Sequence, residues 1–176
     1  MIKESVSTVG NQAYQFAQFK QNQINLIMFI CNHCPYVLYR MPAISQLVDD
    51  YKDAINIVAI NSNDSSPSTY DSHPEDAPEY MPAFKIKHNL NCEYIFDADQ
   101  SLAKQYNIQC TPEFVLTDKN GIIVYHGELD PSRKTNQLKS TGSSLRHAIE
   151  LTVVGQKITW QPAASFGCSI KWKETL

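Results

Sequence analysis

The feature that most limits what this chain can fold into is a pair of cysteines, Cys31 and Cys34, set between an apolar run and an amphipathic one. Ile24 to Ile30 is β-rich and interrupted only by Asn25. A run apolar on both faces suits a central strand of a covered sheet. Beyond Cys34, the residues Val37, Met41, Ile44, Val48 and Tyr51 recur at three- and four-residue steps, which is one face of a helix. Pro35 suits the first helical turn, where no backbone donor is needed, and Pro42 is expected to kink the helix. Ile55 to Ile60 reads as a second buried strand, so strand, helix and strand follow in the order of a parallel sheet.

The spacing of the two cysteines has a chemical sense. At a helix start, residues three apart share a face one turn up, so two sulfurs there reach bonding distance with little backbone movement. The unpaired N–H groups and the positive end of the helix dipole favour an anion. Such a site is expected to lower the pKa of Cys31 from about 8.5 into the range of roughly 3.5 to 7.5. On this reading Cys31, at the helix tip, is the nucleophile, and Cys34, a turn inside, is the buried resolving thiol. His33 between them would favour the thiolate further. Half of a zinc site is the competing reading, with His33, Cys110 and His126 as the remaining donors, and an inert pair is a third.

The rest of the chain supplies a frame. Residues 61–78 form a long polar loop at the end of a strand, a place where compact domains often keep function. Tyr80 to His88 reads as a helix, Tyr94 to Phe96 as a strand, and Ser101 to Tyr106 as a short helix capped by Asp99. Cys110-Thr111-Pro112 precedes a strand at Phe114 to Thr117. Asp118 to Gly121 is a hairpin turn, and Ile122 to His126 is the return strand. Leu145, Ile149 and Val153 mark a closing helix that ends at Gly155.

The 176 residues fit one domain, and the formal net charge of −3, with both signs interspersed, argues against nucleic acid as a partner. The opening residues are polar and of mixed charge, and the run at Leu26 to Ile30 is too short to span a bilayer. A cytoplasmic setting without membrane attachment is therefore expected. There, five cysteines point to catalysis, metal binding or packing and away from a static disulfide framework. No organic cofactor and no resident metal is called for.

Three motifs together resemble a family. Phe29 to Val37, with Cys31-Asn32-His33-Cys34-Pro35 at its centre, is similar to the signature of a thioredoxin-like, peroxiredoxin-like family related to the alkyl hydroperoxide reductase and thiol-specific antioxidant group. The likeness continues through Ala59 to Asp64 and Cys110-Thr111-Pro112-Glu113-Phe114, and ends at Gly167-Cys168-Ser169-Ile170-Lys171-Trp172-Lys173. The resemblance implies an α/β fold of thioredoxin type, a central mixed β-sheet flanked by helices. The chain divides into an N-terminal arm at 1–23, polar, weakly patterned and expected to be irregular with one short strand at most, the thioredoxin-like domain at 24–155 and a C-terminal tail at 156–176 packed on it. The resemblance also implies that Pro112 is cis and lies beside the cysteine pair, with Thr111 and Cys110 forming an extended edge that a partner backbone can join. Two departures stand out. Residues 1–23 lack the usual opening pattern, which leaves an N-terminal hairpin in question. The central strand also lacks the buried acid that thioredoxin places beside its resolving cysteine. Glu113 is the candidate to move the proton of Cys34, against a bland role as a strand residue.

The expected activity is thiol–disulfide exchange with protein or small-molecule thiols and disulfides. Cys31 and Cys34 are catalytic, His33, Pro112, Thr111 and Glu113 support them, and Cys110 and Cys168 are possible relay thiols. A peroxidase is the alternative, weakened because Ile24 and Met28 stand where peroxiredoxins carry proline and a hydroxyl residue. A zinc-binding or interaction module is the second alternative. The sequence leaves the oligomeric state open.

Overall fold

A computed structural model describes residues 22–66 and 73–173, together with two short strands before them. These are β1 (Val6–Ser7) and β2 (Ala13–Tyr14), which pair antiparallel, so the opening arm does form the hairpin that its sequence left in question.

The central sheet is built on β3 (Asn25–Phe29). It pairs in parallel with β4 (Asn56–Asn61) and antiparallel with β7 (Glu113–Thr117). Outside them lie β5 (Glu93–Phe96), parallel to β4, and β8 (Ile123–Gly127), antiparallel to β7, giving the order β5-β4-β3-β7-β8. All five residues of β3 are buried, as a strand covered on both faces requires. Its alternate side chains serve two cores. Leu26 and Met28 face the layer of α1 (Pro35–Tyr51), α2 (Met81–His88) and α4 (Ser143–Val153). Ile27 and Phe29 face α3 (Ser101–Gln105) with Tyr106, Ile108 and Ile170. Each such side chain contributes about 1.5–3 kcal/mol on burial.

Helix α1 starts where its sequence suggests, with Pro35 in the first turn, and it is continuous through Pro42. Pro42 stands on the exposed side, where the lost hydrogen bond costs least. The polar loop after β4 contains two 3-10 turns, Pro74–Asp76 and Pro78–Tyr80. Its residues 67–72 lie outside the described residues. The cap of α3 differs from expectation. Asp99 accepts the Ser101 amide, whereas it is buried Asp97 that accepts the amides of Leu102 and Ala103. Gln100, at φ +58°, turns the chain between the two acids. Among the described residues, no helix is long and apolar enough to cross a membrane.

Two more strands complete the molecule. β6 (Cys110–Thr111) pairs antiparallel with β9 (Cys168–Ser169), matching Cys110 to Ser169 and Thr111 to Cys168. The C-terminal tail therefore returns to the centre of the fold.

Candidate active site

The cysteine pair sits at the C-terminal end of β3, where the chain leaves the sheet to start α1. Cys34 is the N-cap of α1 in extended conformation, and Cys31 lies three residues before it. This corrects the expectation that Cys31 occupies the helix tip and Cys34 the first turn inside. The cause is Pro35, which fits the first helical position and so makes Cys34 the last residue outside. Both cysteines are 0% exposed, so a partner reaches them only after some local opening.

The Thr111–Pro112 peptide is cis, as the resemblance implied, and it lies over the pair. The Thr111 hydroxyl is 3.2 Å from the Cys31 sulfur, and the Thr111 carbonyl accepts a hydrogen bond from the Cys34 thiol at 3.3 Å. One residue thus addresses both sulfurs, its side chain meeting one and its backbone the other.

On the opposite side stands a residue that the sequence reading passed over, Asp76, delivered by the first 3-10 turn and fully buried. Its Oδ1 accepts the backbone amides of Asn32 at 2.7 Å and His33 at 3.1 Å. Its Oδ2 accepts Asn63 Nδ2 at 2.8 Å and pairs with His33 Nδ1 at 2.5 Å. Asn61 holds the turn through the Asp76 carbonyl at 2.8 Å. The His33 ring stacks on that of His73, with centroids 3.5 Å apart, and its Nδ1 is 3.7 Å from the Cys31 sulfur. Asn32 is tied in turn to the Glu75 carbonyl and the Tyr94 hydroxyl. The sequence signal for this group was the polar loop at 61–78, but no spacing rule singles out Asp76 within it.

Asp76 changes the electrostatics from those expected. The amides of residues 32 and 33 are already bound to a carboxylate, so they are not available to a sulfur anion. Burial pushes the Cys31 thiol well above its ordinary value, the hydrogen bond with Cys34 and the Asp76 charge add to this, and the Thr111 hydroxyl opposes it. The depressed Cys31 pKa expected from the sequence is thus reversed. Cys34 is the sulfur that the site favours as an anion. Its pKa is brought down chiefly by its hydrogen bond with Cys31, and, against burial, by the Cys168 thiol and the amides of Val37 and Cys168. Burial alone would raise Asp76, but the hydrogen bonds from His33 and Asn63, the His33 charge and the Asn32 amide hold it below the usual range.

The supporting residues fall into two groups. His33, Thr111 and Pro112 surround the pair. Glu113 has other partners: His126 Nε2 at 2.6 Å, the amides of Gln109 and Cys110, and the Cys110 sulfur at 3.9 Å. The acid that meets the dithiol loop is Asp76, so the part expected of Glu113 is corrected. Its seat on β7 opposite Phe29 turns it toward β8, which brings it to His126. Cys110 is buried beside it and pushed up to about 12, by burial first and then by the Glu113 charge. Cys168, in contrast, touches the pair, with its sulfur 2.7 Å from that of Cys34. Cys92 is pushed up to about 12 by burial and packs at the edge of the core.

A metal would find three donors here, Cys31, His33 and Asp76, whose ligating atoms lie within 4.8 Å of one another. Cys110 and His126, the other donors considered from the sequence, meet at Glu113 instead.

The Redoxin family profile matches residues 2–144, which takes in the arm, the sheet and both sides of this site. The chain belongs to the Redoxin family. Two solved structures resemble it along nearly its whole length. A hypothetical protein from Sinorhizobium meliloti is 34% identical over 97% of this chain and 91% of its own, at a TM-score of 0.90. An uncharacterised conserved protein from Geobacillus kaustophilus is 35% identical over 98% and 89%, also at 0.90. A secreted Mycobacterium tuberculosis disulfide oxidoreductase, described as homologous to Escherichia coli DsbE, is 19% identical over 83% of this chain and 93% of its own. Its TM-score of 0.62 marks a shared fold. No curated protein sequence matches the chain. As a Redoxin-family protein of thioredoxin-like fold, it is placed among thiol redox proteins in general.

Proposed function

We propose that this Redoxin-family chain is a thiol–disulfide oxidoreductase whose redox centre is the Cys31/Cys34 dithiol. The observation that carries the reading is geometric: two buried sulfurs at the end of β3, with Thr111 before the cis proline meeting Cys31 through its hydroxyl at 3.2 Å and Cys34 through its carbonyl at 3.3 Å. The pair titrates as a unit. Once one proton has left the pair, burial keeps the remaining one on Cys31 and the hydrogen bonds to Cys34 favour the charge there. Moving that proton across yields a Cys31 thiolate within reach of the Thr111 hydroxyl. Cys168 stands against Cys34, so the partner disulfide is left to meet Cys31.

The reaction runs in two exchanges. The Cys31 thiolate attacks one sulfur of the partner disulfide, forming a mixed disulfide and releasing one thiolate. Cys34 then attacks Cys31, closing the 31–34 bond and releasing the second. Two electrons pass from the dithiol to the partner. Partners are protein or small-molecule thiols and disulfides in the cytoplasm. The division of the chain at residues 23 and 155, and the finer kinship to the peroxiredoxin-like branch carrying the three cysteine motifs, belong to the same proposal.

Insulin disulfide reduction with dithiothreitol as the electron source tests it. Cys31→Ser is expected to fall to background, and Cys34→Ser to accumulate a mixed disulfide on Cys31. Full activity in Cys31→Ser would overturn the reading.

A peroxidase is the second reading, and one observation favours it. The hydroxyl that Met28 cannot provide is supplied from across the site by Thr111, at 3.2 Å from Cys31. Against it, the site raises the Cys31 pKa, and peroxide reacts with thiolates. Stopped-flow oxidation by hydrogen peroxide is expected to be slow relative to disulfide exchange.

A further inference from the structure

The tail motif Gly167-Cys168-Ser169 has no part in the two exchanges above, yet the fold places it with care. β9 lies antiparallel on β6, the short edge that runs into Pro112, with Cys168 opposite Thr111. That is the edge which an extended partner would need for its own backbone hydrogen bonds. Gly167 approaches so closely that a Cβ there would lie 1.9 Å from the Thr111 carbonyl oxygen, so the fit depends on the absence of a side chain. The approach brings the Cys168 sulfur to 2.7 Å from that of Cys34. Downstream, the tail is clasped by Gln100. Its Nε2 donates to the Lys171 carbonyl at 2.8 Å, and its Oε1 accepts the Lys173 amide at 2.9 Å. Asn63 accepts the Lys171 amide at 3.0 Å, and Ile170 is buried in the second core. Upstream, buried Arg40 reaches the Phe166 carbonyl from α1.

We propose that the tail is a built-in substrate strand, and that Cys168 is a third redox thiol that takes the disulfide over from Cys31. The inference rests on the Cys31/Cys34 reading. Burial and then Cys34 push the Cys168 thiol up to about 12; once the 31–34 bond has formed, the Cys34 charge is gone, and Cys168 gives up its proton and attacks the neighbouring Cys34 sulfur. The 34–168 bond forms, the 31–34 bond breaks, and Cys31 leaves as a thiolate that takes the proton lost by Cys168. No electrons enter or leave in this step. Of the three sulfurs Cys168 is the only one partly exposed. A second thiol partner therefore attacks there, forming a mixed disulfide with Cys168 and releasing Cys34, the sulfur best suited to carry the charge. A further thiol from that partner completes the reduction. The dithiol thus meets its oxidant at Cys31 and its reductant at Cys168.

Disulfide mapping decides it. Trypsin leaves Cys31 and Cys34 together on residues 21–40 and Cys168 on residues 158–171. The purified protein is oxidised with limiting diamide, quenched in acid, alkylated and digested without reduction. The expected result is a cross-linked 21–40/158–171 pair in the wild type. Fragment ions from the cross-linked peptide should place the bond on Cys34, and the pair should be lost in Gly167→Ala, where the closed 31–34 bond should remain. Absence of the cross-link from the wild type, with the 31–34 bond present, overturns the proposal. So does a wild-type cross-link whose fragment ions place the bond on Cys31. Absence of the 31–34 bond from the wild type and from Cys168→Ser removes the dithiol reading beneath it as well. The wild-type map needs no variant to fold.

Discussion

Asp76 decides how the two thiols share their charge. Its carboxylate occupies the place beside the Asn32 and His33 amides that a sulfur anion would otherwise use. In Asp76→Asn the negative charge is removed at nearly constant volume. The Cys31 titration, followed by thiolate absorbance in the ultraviolet, is expected to move down by about one pH unit, equivalent to about 1.4 kcal/mol. Because the same carboxylate also holds His33 and Asn63, the variant should lose about 1.5–3 kcal/mol of stability by urea denaturation. An unmoved Cys31 titration would show that burial and Cys34 alone set its proton affinity.

Secondary structure was largely legible because it is carried by local period. The apolar run of β3, the three-and-four spacing of α1 and the Asp118 to Gly121 turn each declare themselves within a dozen residues. The caps were not legible. Asp97 and Asp99 stand equally close to α3, and only the turn at Gln100 brings Asp97 to the Leu102 and Ala103 amides. The helix start at Pro35 was visible, but its consequence, Cys34 as the capping residue, was missed because the cysteine spacing was read as helical from its first member. At the scale of elements the tail is the least secure part. It is a two-residue strand held by polar clasps, with Ile170 as its one buried apolar anchor among the described residues. Gln100→Ala removes the bonds to the Ser62 and Lys171 carbonyls and to the Lys173 amide. Loss of about 1–3 kcal/mol from the tail's opening energy is expected, so Cys168 should be alkylated roughly 5- to 150-fold faster in the native state.

For the whole molecule, three buried carboxylates link folding to acid. Asp76, Glu113 and Asp130 are all held below the usual carboxylate range despite burial, which alone would raise them. Asp130 does so through the hydroxyls of Ser132 and Ser140 and the amides of Ser132, Thr141 and Gly142. Unfolding raises their proton affinity. Their stabilisation is therefore complete above the unfolded carboxylate range near pH ~4 and is lost as pH falls through the lower folded values. Asp97, raised by burial, acts in the opposite sense. With three groups against one, urea midpoints should fall steeply below pH ~4, and a flat midpoint there would contradict these assignments. None of these roles could be recognised from composition, because the donors meet only on folding, those of Asp130 from along its own loop and those of Asp76 and Glu113 largely from other elements. The same limit hid the contact between Cys34 and Cys168: the motif was visible, its destination was not.

That contact spans 134 residues of chain. During synthesis at ~5–20 residues per second, the dithiol emerges roughly 7 to 27 s before the strand that will cover it. For that interval the nascent chain presents Cys31 and Cys34 without their third sulfur. A ribosome-bound form of this protein would meet oxidants as a simple two-thiol domain, and would acquire its guarded, three-sulfur state only once that later strand has emerged and docked.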